Sequence, residues 1–225
     1  MKHPYWSRLL FAISISCLFI SFSNATEPEN KNSGYLPADI YARMEDVTTP
    51  NGVKVKRWHD PALNPRIYDA VLVEKVSFYP EKPEPNDKIS ASLLNDLSEE
   101  MTSELRTVIS RNLAVVGYAK EGTLKFRSAI TAVSTRTESF KARELLPIAL
   151  IYSAFEFASG SRPDEAVIHF EWELRDGTTD RLLAAGTREG LGNVIKEKDG
   201  RISIEHLRPA IKAWGEDAKA AFGNM

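Results

Sequence analysis

Hydrophobic and polar positions change period several times along this chain, and each change marks an element. Residues 9–22 form an apolar run interrupted only by serines, the pattern of a signal's hydrophobic stretch, with a retained membrane anchor as the alternative. Ile40, Tyr41 and Met44 share one side of a short helix expected over residues 38–44. After a Pro50-Asn51-Gly52 turn, residues 53–58 alternate apolar with basic, the period of a half-buried strand. Residues 68–78, rich in valine, predict one central strand covered on both faces. Pro80, Pro83 and Pro85 enforce an extended linker, after which Asp87 or Ser90 can cap a helix. That helix has the strongest period in the chain: Leu94, Leu97, Met101, Leu105, Val108, Ile109 and Leu113 form an amphipathic stripe.

The second half repeats the two periods. Residues 124–133 alternate as a long strand, with Leu124, Phe126, Ser128, Ile130 and Ala132 on one face. Ile168, Phe170, Trp172 and Leu174 alternate with His169, Glu171, Glu173 and Arg175, and the run enters Asp176-Gly177, a hairpin signal. The return strand is expected over 181–187. Leu207, Ile211, Trp214, Ala218 and Phe222 recur at helical spacing and predict a closing helix over 207–222, buried against the sheet through Trp214, with Pro209 in its first turn. This order predicts an α/β domain, with α+β as the variant: a mixed sheet of about 4–6 strands covered by helices, in two or three layers, as a single domain over residues 34–225. The strand over 68–78 and the strand over 124–133, joined through one helix, are expected to pair in parallel.

Composition bears first on the N-terminus. Lys2 and Arg8 precede the apolar run, and Ser23 and Ala25 are small, so residues 1–25 read as a secretory signal cleaved after Ala25. Fourteen residues, three of them serines, fall short of the roughly 20 apolar residues that a spanning helix needs. The competing expectation is lipidation at Cys17, the only cysteine, although Ser14-Ile15-Ser16 matches a lipoprotein signal only in part. Residues 26–33, polar throughout, read as a leader with nothing to bury. A mature chain of about 200 residues would hold no cysteine and no disulfide, so its stability must come from a core. It is expected in the periplasm, with no transmembrane helix in the mature chain and outer-membrane attachment as the alternative.

Charge narrows the partners. Removing Lys2 and Arg8 leaves 27 basic against 31 acidic residues, and no basic stripe points to nucleic acid. An envelope protein or a surface component is the expected partner, and an oligomer goes with that reading.

Three boxes in order carry a family resemblance: Ser33-Gly34-Tyr35-Leu36, then Lys56-Arg57-Trp58-His59-Asp60-Pro61, then Tyr68 through Tyr79. The succession resembles the bacterial envelope lipoproteins of the domain-of-unknown-function 3313 family. The resemblance runs over residues 33–222 and implies a secreted, envelope-associated protein; it brings no catalytic residue with it.

Candidate chemistry is sparse. His169, Glu171 and Glu173 share one strand face, an imidazole and two carboxylates that could serve a metal-assisted hydrolase. They span roughly 13 Å of strand, too far for one ion unaided, so His59 or His206 would have to help. The competing reading of the same residues is a solvated face. His59-Asp60 reads as a turn in which Asp60 caps backbone amides. Gly186, Gly190 and Gly192 look only superficially like a phosphate loop and are read as a strand end and turn. No nucleophile, metal spacing or cofactor loop is visible, so no catalytic residue, metal or cofactor is assigned. Residues 145–158 are apolar nearly all round: either a buried helix, or an interface helix presenting Leu150, Ile151 and Phe155 to a partner or membrane.

Overall fold

Alternating side chains over residues 124–133 and 168–175 build the long central strands of an eight-stranded mixed sheet. The structure is a computed structural model that describes residues 32–49, 52–80, 85, 89–137, 164–196 and 200–223. All described elements fall in one unit, Lys31–Met225. In chain order they are α1 (Ala38–Arg43), β1 (Glu45–Thr48), β2 (Lys54–His59), β3 (Ala70–Val73), β4 (Ser77–Phe78), α2 (Ala91–Ile109), β5 (Ala114–Val115), β6 (Thr123–Thr137), β7 (Asp164–Asp176), β8 (Leu182–Ile195) and α3 (Ile204–Gly223). The strand order is β1-β2-β8-β7-β6-β3-β5, with β4 also on β6. The α/β class is as expected, but the sheet is larger than the 4–6 strands anticipated.

The β3–α2–β6 connection does produce a parallel pair, with Ala70 opposite Thr123 and Val73 opposite Phe126. The strand expected over 68–78 is broken, however. Val76 turns its backbone toward α2, where its N–H donates to Thr102 Oγ1 at 2.9 Å and its carbonyl accepts from Ser98 Oγ at 2.6 Å. Those bonds satisfy buried peptide groups that would otherwise join the ladder. The chain rejoins the same edge of β6 as β4, with Ser77 opposite Ala129.

β6 and β7 pair along nearly their whole length, with a bulge between Ile130 and Ala132. Past it, Val133 faces Ile168 and Ala132 faces His169, so the apolar set shifts by one position from the alternation expected. β8 is also longer than expected. Gly186 and Gly190 lie inside it rather than at a turn, because each makes room for an aromatic ring: a side chain at Gly186 would meet Trp172 at 2.7 Å, and one at Gly190 would meet Trp214 at 2.7 Å.

The two sheet faces have different covers. On one face α2 and α3 bury the main core, in which Phe170 stacks on Trp214 at 4.7 Å and Leu207, Ile211 and Trp214 are all enclosed, as the helical stripe predicts. Ser90 caps α2 by accepting from Leu93 N–H at 3.1 Å. α3 starts three residues earlier than expected, so Pro209 falls in its second turn. The Glu205 carbonyl thereby loses its helical donor and accepts from Asn193 Nδ2 at 3.4 Å instead. On the opposite face Leu36 and Ile40 bury a smaller cluster against Ala185.

Candidate functional site

Alternation puts His169, Glu171 and Glu173 on the face away from α2 and α3, where a solvated strip was one expectation. It is not solvated. Glu171 and Glu173 are 6% and 7% exposed, because the segment from Ser33 through α1 lies over them. Tyr41 is the hinge of that cover: its hydroxyl donates to Glu171 Oε2 at 2.6 Å and accepts from Leu36 N–H at 3.1 Å, with Ser33 Oγ at 3.1 Å. Tyr35 N–H donates in turn to Ser33 Oγ at 3.0 Å. Burial, and then the bond to Glu171, pushes the Tyr41 phenol up to about 12, and burial also raises the Glu171 carboxyl.

Glu173 is engaged separately, accepting from Arg175 Nη2 at 2.8 Å with Arg127 Nη1 at 3.7 Å. Arg127 Nε also donates to Glu74 at 2.9 Å, and Asp180 joins Lys125, Arg127 and Arg175. His169 Nε2 is buried with no hydrogen-bond partner among the described residues, and burial lowers its imidazole to about 4. The three side chains therefore do not converge: Glu171 is held by Tyr41, Glu173 by Arg175 and Arg127, and His169 Nε2 by no described group. His59 lies at the exposed end of β2, opposite Ala184, and His206 accepts from Ser203 N–H at 3.0 Å in the first turn of α3, so neither joins them. Among the described residues no group of three His, Cys, Asp or Glu side chains could hold a metal ion. Asp60 behaves as its sequence suggests, accepting from Ala62 N–H at 2.8 Å and pairing with Arg181.

The helix-covered face holds a different feature. Between α3 and the sheet lies a mainly apolar cavity of about 200 Å³, walled by Phe126, Phe170, Trp172, Leu174 and Trp214 and bounded at its rim by Leu63, Pro65 and Ala221. Three charged side chains reach it: Arg57, Arg188 and Asp217. Arg188 and Asp217 form a buried ion pair, and Arg188 Nη1 donates to Ala213 O at 3.3 Å. Arg57 sits opposite Gly186 in the β2–β8 register, and so diagonally beside Arg188 on the same face.

These cavity residues were not among the candidates, although each leaves a trace in the pattern. In β2 Arg57 shares the face of the buried Val55, so a basic residue occupies an apolar phase. Asp217 does the same in α3, three residues after Trp214. Leu150, Ile151 and Phe155 lie outside the described residues, as do Cys17 and the rest of residues 1–31.

Comparison with known proteins now places the chain. The model of the family described as "protein of unknown function (DUF3313)" matches residues 31–218. The chain belongs to this family. A DUF3313 assignment agrees with the three boxes, and the structure shows what the first of them does, since Ser33, Tyr35 and Leu36 form the cover over Glu171. The chain is also similar to the uncharacterized lipoprotein YdcL of Escherichia coli strain K12, 28% identical over 196 residues, 87% of this chain and 86% of that protein. The same identity holds for YdcL of Escherichia coli O157:H7. Among solved structures, it is similar to the PelC dodecamer from Paraburkholderia phytofirmans (TM-score 0.34, 13% identity, 76% of this chain and 93% of that one). A neuraminyllactose-binding hemagglutinin homologue from Helicobacter pylori gives a TM-score of 0.39 at 11% identity, over 74% of this chain and 88% of that one.

Proposed function

We propose that this DUF3313 protein is a non-catalytic binding module of the bacterial envelope, and that it binds through the cavity between α3 and the sheet. The observation that carries the reading is the contrast between the two faces. The acidic strip of β7, the best candidate for chemistry in the sequence, is closed over by its own N-terminal segment and tied to Tyr41, Arg127 and Arg175. The helix side keeps an apolar space of about 200 Å³, larger than the roughly 150 Å³ engineered cavity that stays dry and takes up benzene. The lipoprotein relatives and the apolar run over residues 9–22 support the envelope setting, with the mature chain exported into the periplasm. A surface component with an apolar part is the kind of ligand such a space admits.

The test is uptake of a neutral apolar fluorophore, N-phenyl-1-naphthylamine, by the exported protein. Saturable binding is expected. Ala221 lies exposed at the rim, so Ala221→Phe should leave the melting temperature unchanged and weaken uptake at least about tenfold. Absence of saturable uptake by the parent protein overturns the reading.

A further inference from the structure

Polar chemistry in the cavity is one-sided. The Arg188–Asp217 pair neutralises itself, which leaves Arg57 as an unbalanced cation. Arg57 is half-buried and has no hydrogen-bond or ion-pair partner for its guanidinium among the described residues. Burial holds it below the ordinary arginine range, and burial together with the charge of Arg57 brings Arg188 down to about 10. The other polar atoms of the lining that are buried without a hydrogen-bond partner among the described residues, aside from the Asp217 carboxylate already paired with Arg188, are Arg188 Nε and Trp214 Nε1, and both are donors. A buried or half-buried donor without an acceptor is destabilising, and a cation beside another cation more so. What is missing on this wall is an anionic acceptor, next to a space that only apolar matter fills well.

We propose that the cavity binds a single-chain carboxylic acid, with the carboxylate paired to Arg57 and the alkyl chain lying between α3 and the sheet against Phe170, Trp172 and Trp214. The planar guanidinium fork matches a carboxylate in two parallel hydrogen bonds, and the pairing strengthens where water is thinned out. At about 200 Å³ the space suits a chain of medium length rather than a two-chain lipid. This deepens the binding-module reading and rests on it.

Trp172 and Trp214 line the cavity, whereas Trp58 lies on the opposite sheet face under Arg43, 4.5 Å from its ring. In a Trp58→Phe background of the exported protein without residues 1–25, and so without Trp6, tryptophan emission therefore reports on the cavity. Octanoate brominated at its terminal carbon quenches only rings it touches, and the equally brominated octanol is its neutral counterpart. Saturable quenching by both is expected, with the acid bound more tightly. Arg57→Gln should weaken the acid at least about tenfold and leave the alcohol unchanged. Equal affinities for acid and alcohol, or an acid affinity that Arg57→Gln does not move, overturns carboxylate recognition while the cavity reading stands. If neither compound quenches, the cavity reading falls with it. Arg57 lies on a strand at the cavity rim, so the melting temperature of Arg57→Gln is measured in parallel; if it falls, Arg57→Lys, which keeps the charge but loses the fork, must still bind the acid more tightly than the alcohol.

Discussion

His169 and Glu171 stand two residues apart on β7, and burial pushes both toward their uncharged forms, with opposite consequences for stability. The folded imidazole titrates near 4 against an ordinary value of 6.5, so between these values the unfolded chain binds more protons. Its contribution is fully present above pH 6.5 and is lost as pH falls toward 4, by about 3 kcal/mol in all. Glu171 is raised, so the folded state holds its proton to higher pH than the unfolded chain and stability falls as that carboxyl ionises. His169→Gln should therefore flatten the acid limb of a urea-melt series run from pH 7 to pH 4. Glu171→Gln should gain stability at pH 7, since the amide oxygen still accepts from Tyr41 without the cost of a buried charge, and the gain should vanish once Glu171 is protonated in both states. A parent and a His169→Gln variant with parallel pH profiles would contradict this account. Alternation alone makes the shared face of these residues legible; it does not say what covers the face. The cover comes from Ser33 to Tyr41, some 130 residues upstream of Glu171, and a contact of that sequence separation has no local period.

Elements with their own hydrophobic period were readable, and those without one were not. The stripe of α2 and the long alternations of β6 and β7 follow from side chains that share a face at spacings of 3.6 and 2. β1, β4 and β5 are four, two and two residues long, too short to show a period, and they account for the sheet being larger than expected. The break between β3 and β4 was hidden for a related reason. Ser98 and Thr102 read as ordinary helix positions, yet both are 6% exposed and hold the backbone of Val76, while Arg106 donates to Val73 O at 2.9 Å. α2 thus supplies hydrogen bonds that the sheet does not. Thr102→Val keeps the volume and removes the acceptor, leaving Val76 N–H buried and unpaired, so a loss of about 1–3 kcal/mol is expected in denaturant melts with an unchanged m-value. Thr102→Ser, which restores the hydroxyl, should recover most of it. Equal stability of Thr102→Val and the parent would mean that the strand break has another cause.

At the scale of the whole molecule the open question is where the mature chain begins and what holds it at the envelope. Ser33 and Tyr35 bond within the N-terminal cover segment, and Tyr41 of the same segment ties it to the sheet through Glu171. Among the described residues no helix is long and apolar enough to cross a membrane, so attachment by a helix would have to come from outside them. We propose cleavage after Ala25, which leaves a polar tether of a few residues before the cover segment and no lipid. The rival is acylation at Cys17, which the lipoprotein relatives bring forward and which would keep residues 18–22, Leu-Phe-Ile-Ser-Phe, at the membrane surface. The two differ in mass and in partition. Cleavage after Ala25 predicts an intact mass beginning at Thr26 without acyl addition, release in the periplasmic fraction, and no change on Cys17→Ser. Acylation predicts a heavier, membrane-bound species that Cys17→Ser abolishes, and finding it would place the cavity within reach of a lipid surface rather than free in the periplasm.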